Sequence, residues 1–286
     1  MSAQKQADER PHTKANFVTF TNSHAKNAAA DLIAFINEKE LKRSQIISFT
    51  INETEVEEGE QVLTLFYREK PLDFSELPMT GIQFKHFNQN ASWAKLLKEA
   101  ESEGRGVDLI SLTQSPKNIN DCRNQIMFYN AGSGSSTQKT LSRDDGNWPQ
   151  LANEVRDWCN SYVPPHMLVS VSLYEDAHGE NSGTGINACI THTAGANPKN
   201  LAENDDITNK VIYSVDTVAG EGEWEDLFAA ATEKVNAVGG QEGHMVASTN
   251  DSSNDGGFIV ILSWTGLAEN NIREVTREAG CGCSIF

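Results

Sequence analysis

Four times along the chain, apolar residues fall at i, i+3, i+4 and i+7 between strand-like runs. Trp93, Leu96, Leu97 and Ala100 make one set. Trp148, Leu151, Ala152 and Val155 make another, and Trp224, Leu227, Phe228 and Ala231 a third. Ala29, Leu32, Ile33 and Ile36 repeat the spacing with alanine in place of tryptophan. This spacing puts four apolar side chains on one helix face over two turns. Each set follows one short strand-like piece: "NFVTFT", "GIQFKHF", "TQKTLS" or "KVIYSVDT". Each is followed by two more, as "QIISFTI" and "QVLTLFY" follow the first. Met167, Val169, Val171 and Leu173 alternate as a half-buried strand requires. The turns between paired strands, such as "NDSSNDGG", are polar and glycine-bearing, which predicts hairpins.

The expected fold class is therefore α+β: four β-α-β-β repeats forming antiparallel sheets with helices packed on one face. The Asn147 side chain is placed to cap the helix that starts at Trp148, with Pro149 tolerated in its first turn. One such unit alone leaves an apolar face and strand edges exposed, so the units are expected to pair. The linker-like "NAGSGSST" falls between the second and third units. The expected organisation is a disordered N-terminus over 1–15, repeats 1 and 2 over 16–134, repeats 3 and 4 over 135–268, and a short helix with a cysteine-containing tail over 269–286. Paired β-α-β-β units resemble, in element order, the GyrI-like and SOUL ligand-binding folds. That resemblance implies binding of small hydrophobic molecules, tetrapyrroles among them, and carries over no residue.

The formal net charge is −17. Such a surface repels phosphate backbones and anionic lipid, so nucleic acid is not an expected partner. No apolar run is long enough to span a bilayer, and the N-terminus lacks the apolar core of a signal peptide. Five cysteines without framework spacing point to reduced thiols and a cytoplasmic setting. The final Cys283-Ser284-Ile285-Phe286 fits a prenylation pattern, and Cys281 would carry a second acyl chain. Membrane association is expected only through such a lipid.

Catalytic motifs are missing: there is no Gly-x-Ser-x-Gly, no Ser-x-x-Lys and no phosphate loop. Acidic turns such as "ETEVEEGE" lack the alternating ligands of a calcium loop, so neither metal nor cofactor is expected. His166 and His244 both stand before an apolar strand in an echoed His-Met phrase. Together with Trp93, Trp148 and Trp224 they are the candidate ligand-binding residues. Core packing is the simpler role for the tryptophans, and a strand-edge position for the histidines. The sequence thus reads as a non-enzymatic binding or assembly protein, with a protein partner or a second copy of itself. The alternative is a binder of small hydrophobic molecules, or an enzyme, with its pocket between paired repeats.

Overall fold

A computed structural model describes residues 14–54, 60–72, 74–88, 107–117, 123–132, 136–176, 185–193, 213–238, 243–251 and 256–264. The first elements are β1 (Ala15–Asn22), α1 (Ala25–Glu38), β2 (Ile46–Glu53) and β3 (Gln61–Arg68). Then come β4 (Gln83–Asn88), β5 (Val107–Lys117) and β6 (Arg123–Ala131). The stretch between β4 and β5, with Trp93, lies outside the described residues, as does the tail with Cys281 and Cys283. The next group is β7 (Ser136–Arg143), α2 (Trp148–Tyr162), β8 (Leu168–Asp176) and β9 (Gly185–Thr193). The last is β10 (Tyr213–Gly220), α3 (Trp224–Ala237), β11 (Gly243–Asp251) and β12 (Gly256–Trp264). The fold is mixed α and β. Among the described residues no helix is long and apolar enough to cross a membrane.

The described strands make four three-stranded antiparallel sheets, ordered β1-β3-β2, β4-β6-β5, β7-β9-β8 and β10-β12-β11. In each, the third strand in sequence lies in the middle. The two edge strands therefore run parallel and need a crossover between them. In the first, third and fourth sheets α1, α2 and α3 supply it. The polar "TQKTLS" pairs along its whole length with β9, from Ser136 opposite Thr193 to Arg143 opposite Ile186. Its polarity is that of an outer-edge strand with alternating exposure.

The helices bury matching faces. Trp148, Leu151, Ala152, Val155 and Cys159 are buried in α2, and Trp224, Leu227, Phe228, Ala231 and Val235 in α3. In α1 the buried set is Ala25, Ala28, Ala29, Leu32 and Ile36. Ala25, not Ala29, thus holds the place of the tryptophans, and Ile33 lies at the rim. The stripe begins one turn earlier than the apolar spacing predicts because alanines carry little hydrophobic signal. Asn147 caps α2 as expected, its Oδ1 accepting from the Gln150 N–H at 3.0 Å. Asn147→Ala should lower stability by about 1 kcal/mol, read as a lower urea midpoint at unchanged slope.

Four cores join the sheets. α1 packs on its own sheet and on the second, where Phe49 stacks on Phe128 at 4.6 Å. α2 bridges the third and fourth sheets, with Trp148 stacked on Phe258 at 5.6 Å. Phe87, Leu112 and Met127 of the second sheet meet Val169 and Cys189 of the third. α3 and the fourth sheet close on the first, where Phe228 meets Phe66 edge-on at 5.4 Å. One edge strand of each sheet follows the same circuit: β2 against β5, β5 against β8, β8 against β11, and β11 against β2.

Candidate functional site

The seam where β11 meets β2 joins the first described sheet to the last, and it is rich in polar contacts. Its geometry starts with a local irregularity. The pairing register shifts by one residue between Ile46 and Ser48, between Leu109 and Ser111, and between Leu168 and Ser170. In each case the skipped residue is a buried Ile47, Ile110 or Val169, and a buried serine follows. A bulge re-aims the side chains beyond it. Two of these serines, Ser48 and Ser170, serve strand-edge amides of the neighbouring sheet. Ser48 Oγ accepts from Val246 N–H at 3.2 Å, and Ser170 Oγ accepts from Leu112 N–H at 3.2 Å. β11 keeps a continuous register and has Met245 in this region.

At one end of the seam lies His244, buried on β11, with Nδ1 2.8 Å from Ser263 Oγ. Burial, with the Arg68 charge adding to it, pushes the imidazole down to about 4. The ring is therefore neutral at pH 7. Arg68 is itself buried, which lowers its guanidinium to about 10, and it donates to Ser44 O at 3.2 Å. The His244–Ser263 pair has its hydroxyl and its imidazole in contact, yet Arg68, a cation, is the charge beside it. A cation there opposes the protonated imidazole that general-base catalysis would form.

At the other end, Trp224 Nε1 donates to Glu53 O at 3.3 Å and Asn250 Nδ2 donates to the same carbonyl at 2.9 Å. An open depression of about 400 Å³ lies beside them, lined by Ala219, Gly220, Glu221, Asp251, Gly256 and Gly257. A Cβ on Gly257 would stand 2.8 Å from the Trp224 ring, so only glycine lets this strand lie against the indole. The lining is backbone and carboxylate. Among the described residues no group of three or more His, Cys, Asp or Glu is placed to hold a metal ion.

Trp148 and Trp224 lie in separate cores. His166 lies in the 3-10 turn Pro165–Met167 ahead of β8, whereas His244 is inside β11 opposite Ser263. The two His-Met phrases therefore occupy different places in their sheets. Burial pushes the Cys159 and Cys189 thiols up to about 12, which removes them as nucleophiles.

Among the described residues, the most exposed large apolar side chains are on the loop after β3. Leu72 is 54% exposed, Phe74 67% and Leu77 85%. The loop is held in place by backbone and side-chain contacts. Met79 is buried and its N–H donates to Leu41 O at 2.8 Å. Lys42 Nζ donates to Phe74 O at 2.6 Å, Ser44 N–H to Glu76 Oε2 at 3.0 Å, and Leu72 N–H to Ser44 Oγ at 3.2 Å. Gln45, buried beneath it, donates to Arg68 O at 3.0 Å and ties the loop's base to the histidine end of the seam.

No family model, curated protein or solved structure matches this chain.

The serine contacts had a sequence signal. "IISFT", "LISLT" and "LVSVS" carry two apolar residues, a serine, an apolar residue and a hydroxyl residue. The exposed loop, "KPLDFSELPM", carries three large apolar residues within a proline-bounded turn region.

Proposed function

We infer that this chain is a non-enzymatic scaffold built from four copies of one β-α-β-β unit, associated as repeats 1 with 2 and 3 with 4, and that it binds a protein partner through the loop after β3. Three features support the common unit: matched buried helix faces, bulges at corresponding points of β2, β5 and β8, and a repeated asparagine clasp. Asn160 Oδ1 accepts from Tyr213 N–H at 2.8 Å and its Nδ2 donates to Tyr213 O at 3.1 Å. Asn236 does the same to Ala15, at 2.8 and 3.1 Å. Each asparagine stands twelve positions after its helix's first tryptophan, and each holds the first strand of the next unit.

The observation that carries the binding reading is the anchored display of Leu72, Phe74 and Leu77. Large apolar side chains held out on an ordered loop fit a complementary apolar groove, and such anchors dominate binding energy. Glu69 and Glu76 flank them, and the whole chain carries a net charge of −17. The partner's groove is therefore expected to have a basic rim, and charge disfavours a second copy at this loop. A triple variant, Leu72→Ser with Phe74→Ser and Leu77→Ser, should fold with the wild-type urea midpoint. Proteins from the native source that bind wild-type bait should be lost by about tenfold or more with the variant, and their binding should weaken as salt rises. Equal capture by both baits would refute the loop as the docking surface.

A further inference from the structure

We propose that the seam between the first and fourth sheets is a self-recognition surface, through which a second copy of this chain exchanges its first unit. This goes beyond partner binding by the loop, whose segment serves here only as the tether from the first sheet to the second. The connections β3 to β4, β6 to β7 and β9 to β10 tether each sheet to the next along the chain. The first and fourth sheets have no such tether between them, and only non-covalent contacts close the circuit there.

Those contacts join an apolar core, with Ile47, Val62 and Phe66 on one side and Trp224, Phe228 and Val246 on the other, to a set of specific polar pairs. Asn236 of α3 both donates to and accepts from the Ala15 backbone, at 3.1 and 2.8 Å. Asn52 Nδ2 donates to Ser248 Oγ at 2.8 Å, and both residues are buried. Asn250 accepts from Glu53 N–H at 3.3 Å and donates to Glu53 O at 2.9 Å. An apolar patch, Phe17 and Phe66 against Phe228, fills the space behind them. The two sides of the seam are different surfaces, so a second copy fits head to tail. One molecule's α3 and β11 accept another's β1 and β2 with the seam contacts unchanged, and the exchanged unit takes that molecule's second sheet, with Phe128, in place of its own. Two opened chains can then close reciprocally into a swapped dimer. Within one chain the tether gives closure a high effective concentration, so the monomer dominates until the seam opens at high protein concentration.

The test mixes two full-length variants, one Asn52→Cys and the other Ser248→Cys, at high concentration in urea near the unfolding midpoint. The mixture is then returned to native buffer with a glutathione redox couple. Exchange predicts a disulfide-linked dimer of about twice the 31.4 kDa chain mass. Peptide mapping should place the link between positions 52 and 248 of different chains. A control chain carrying both substitutions should form the same link internally when refolded dilute. The triple-serine loop variant should exchange as well as wild type, so loss of loop binding leaves this result standing. Monomers only, a dimer linked at other positions, or no internal link in the control would each overturn the proposal.

Discussion

Between pH 6.5 and pH 4 the folded protein should lose about 3 kcal/mol of stability through His244 alone, and a His244→Gln variant should not show that loss. The cause is the environment at the end of the seam. The imidazole is buried and shares a hydrogen bond with Ser263, and Arg68 stands beside it. Both burial and the arginine charge disfavour a second positive charge there, which lowers the imidazole from 6.5 to about 4. In that interval the unfolded chain binds a proton that the folded chain refuses. Unfolding therefore gains free energy as the pH falls. The contribution is complete above 6.5 and exhausted once the pH has passed through 4. Glutamine keeps a polar partner for Ser263 and does not titrate. Urea melts of both proteins across this range separate the histidine from carboxylates, which titrate in both. Wild-type and variant curves that stay parallel would show that His244 does not sit in this environment.

Phe228→Ala should cost about 3–5 kcal/mol, the range for removing a fully buried aromatic ring. Phe228 has no accessible surface. Its ring lies 5.4 Å from Phe66, 5.9 Å from Phe17 and 5.2 Å from Trp224. Two of those neighbours belong to the first sheet, so the cavity would open at the closure of the circuit. Phe228→Leu, which keeps much of the volume, should cost about 1–1.5 kcal/mol. Both are read from urea midpoints at constant slope. A loss below about 1 kcal/mol for the alanine variant would mean that the first sheet does not cover α3.

The strand-helix-strand-strand order was legible because tryptophan and leucine mark α2 and α3 strongly, and because the flanking strands alternate. α1 was legible in existence but was displaced by a turn, since Ala25 and Ala28 read as spacers until the sheet packs on them. The bulges at Ile47, Ile110 and Val169 were hidden for a different reason. A bulge breaks strict alternation, so "LISL" reads as a fully buried run with a stray serine. The role of such a serine depends on a strand edge more than fifty residues away, as Ser170 in "LVSV", which accepts from Leu112 N–H, shows. Repetition of His-Met in the sequence suggested matched histidines, but pairing register decides position, and it puts His166 in a turn and His244 within a strand. The loop carrying Leu72, Phe74 and Leu77 has no periodicity to announce it, and exposure is a property of the folded chain.

The claim that binds the rest together is that four sheets close a circuit, the last upon the first. Nuclear Overhauser contacts between ring protons, with phenylalanine and tryptophan selectively labelled, test it most directly. Phe49 with Phe128, Trp148 with Phe258, and Phe66 with Phe228 should all give cross-peaks, at centroid separations of 4.6, 5.6 and 5.4 Å. Cross-peaks for the first two pairs without one between Phe66 and Phe228 would describe an open row of sheets and contradict the closed circuit.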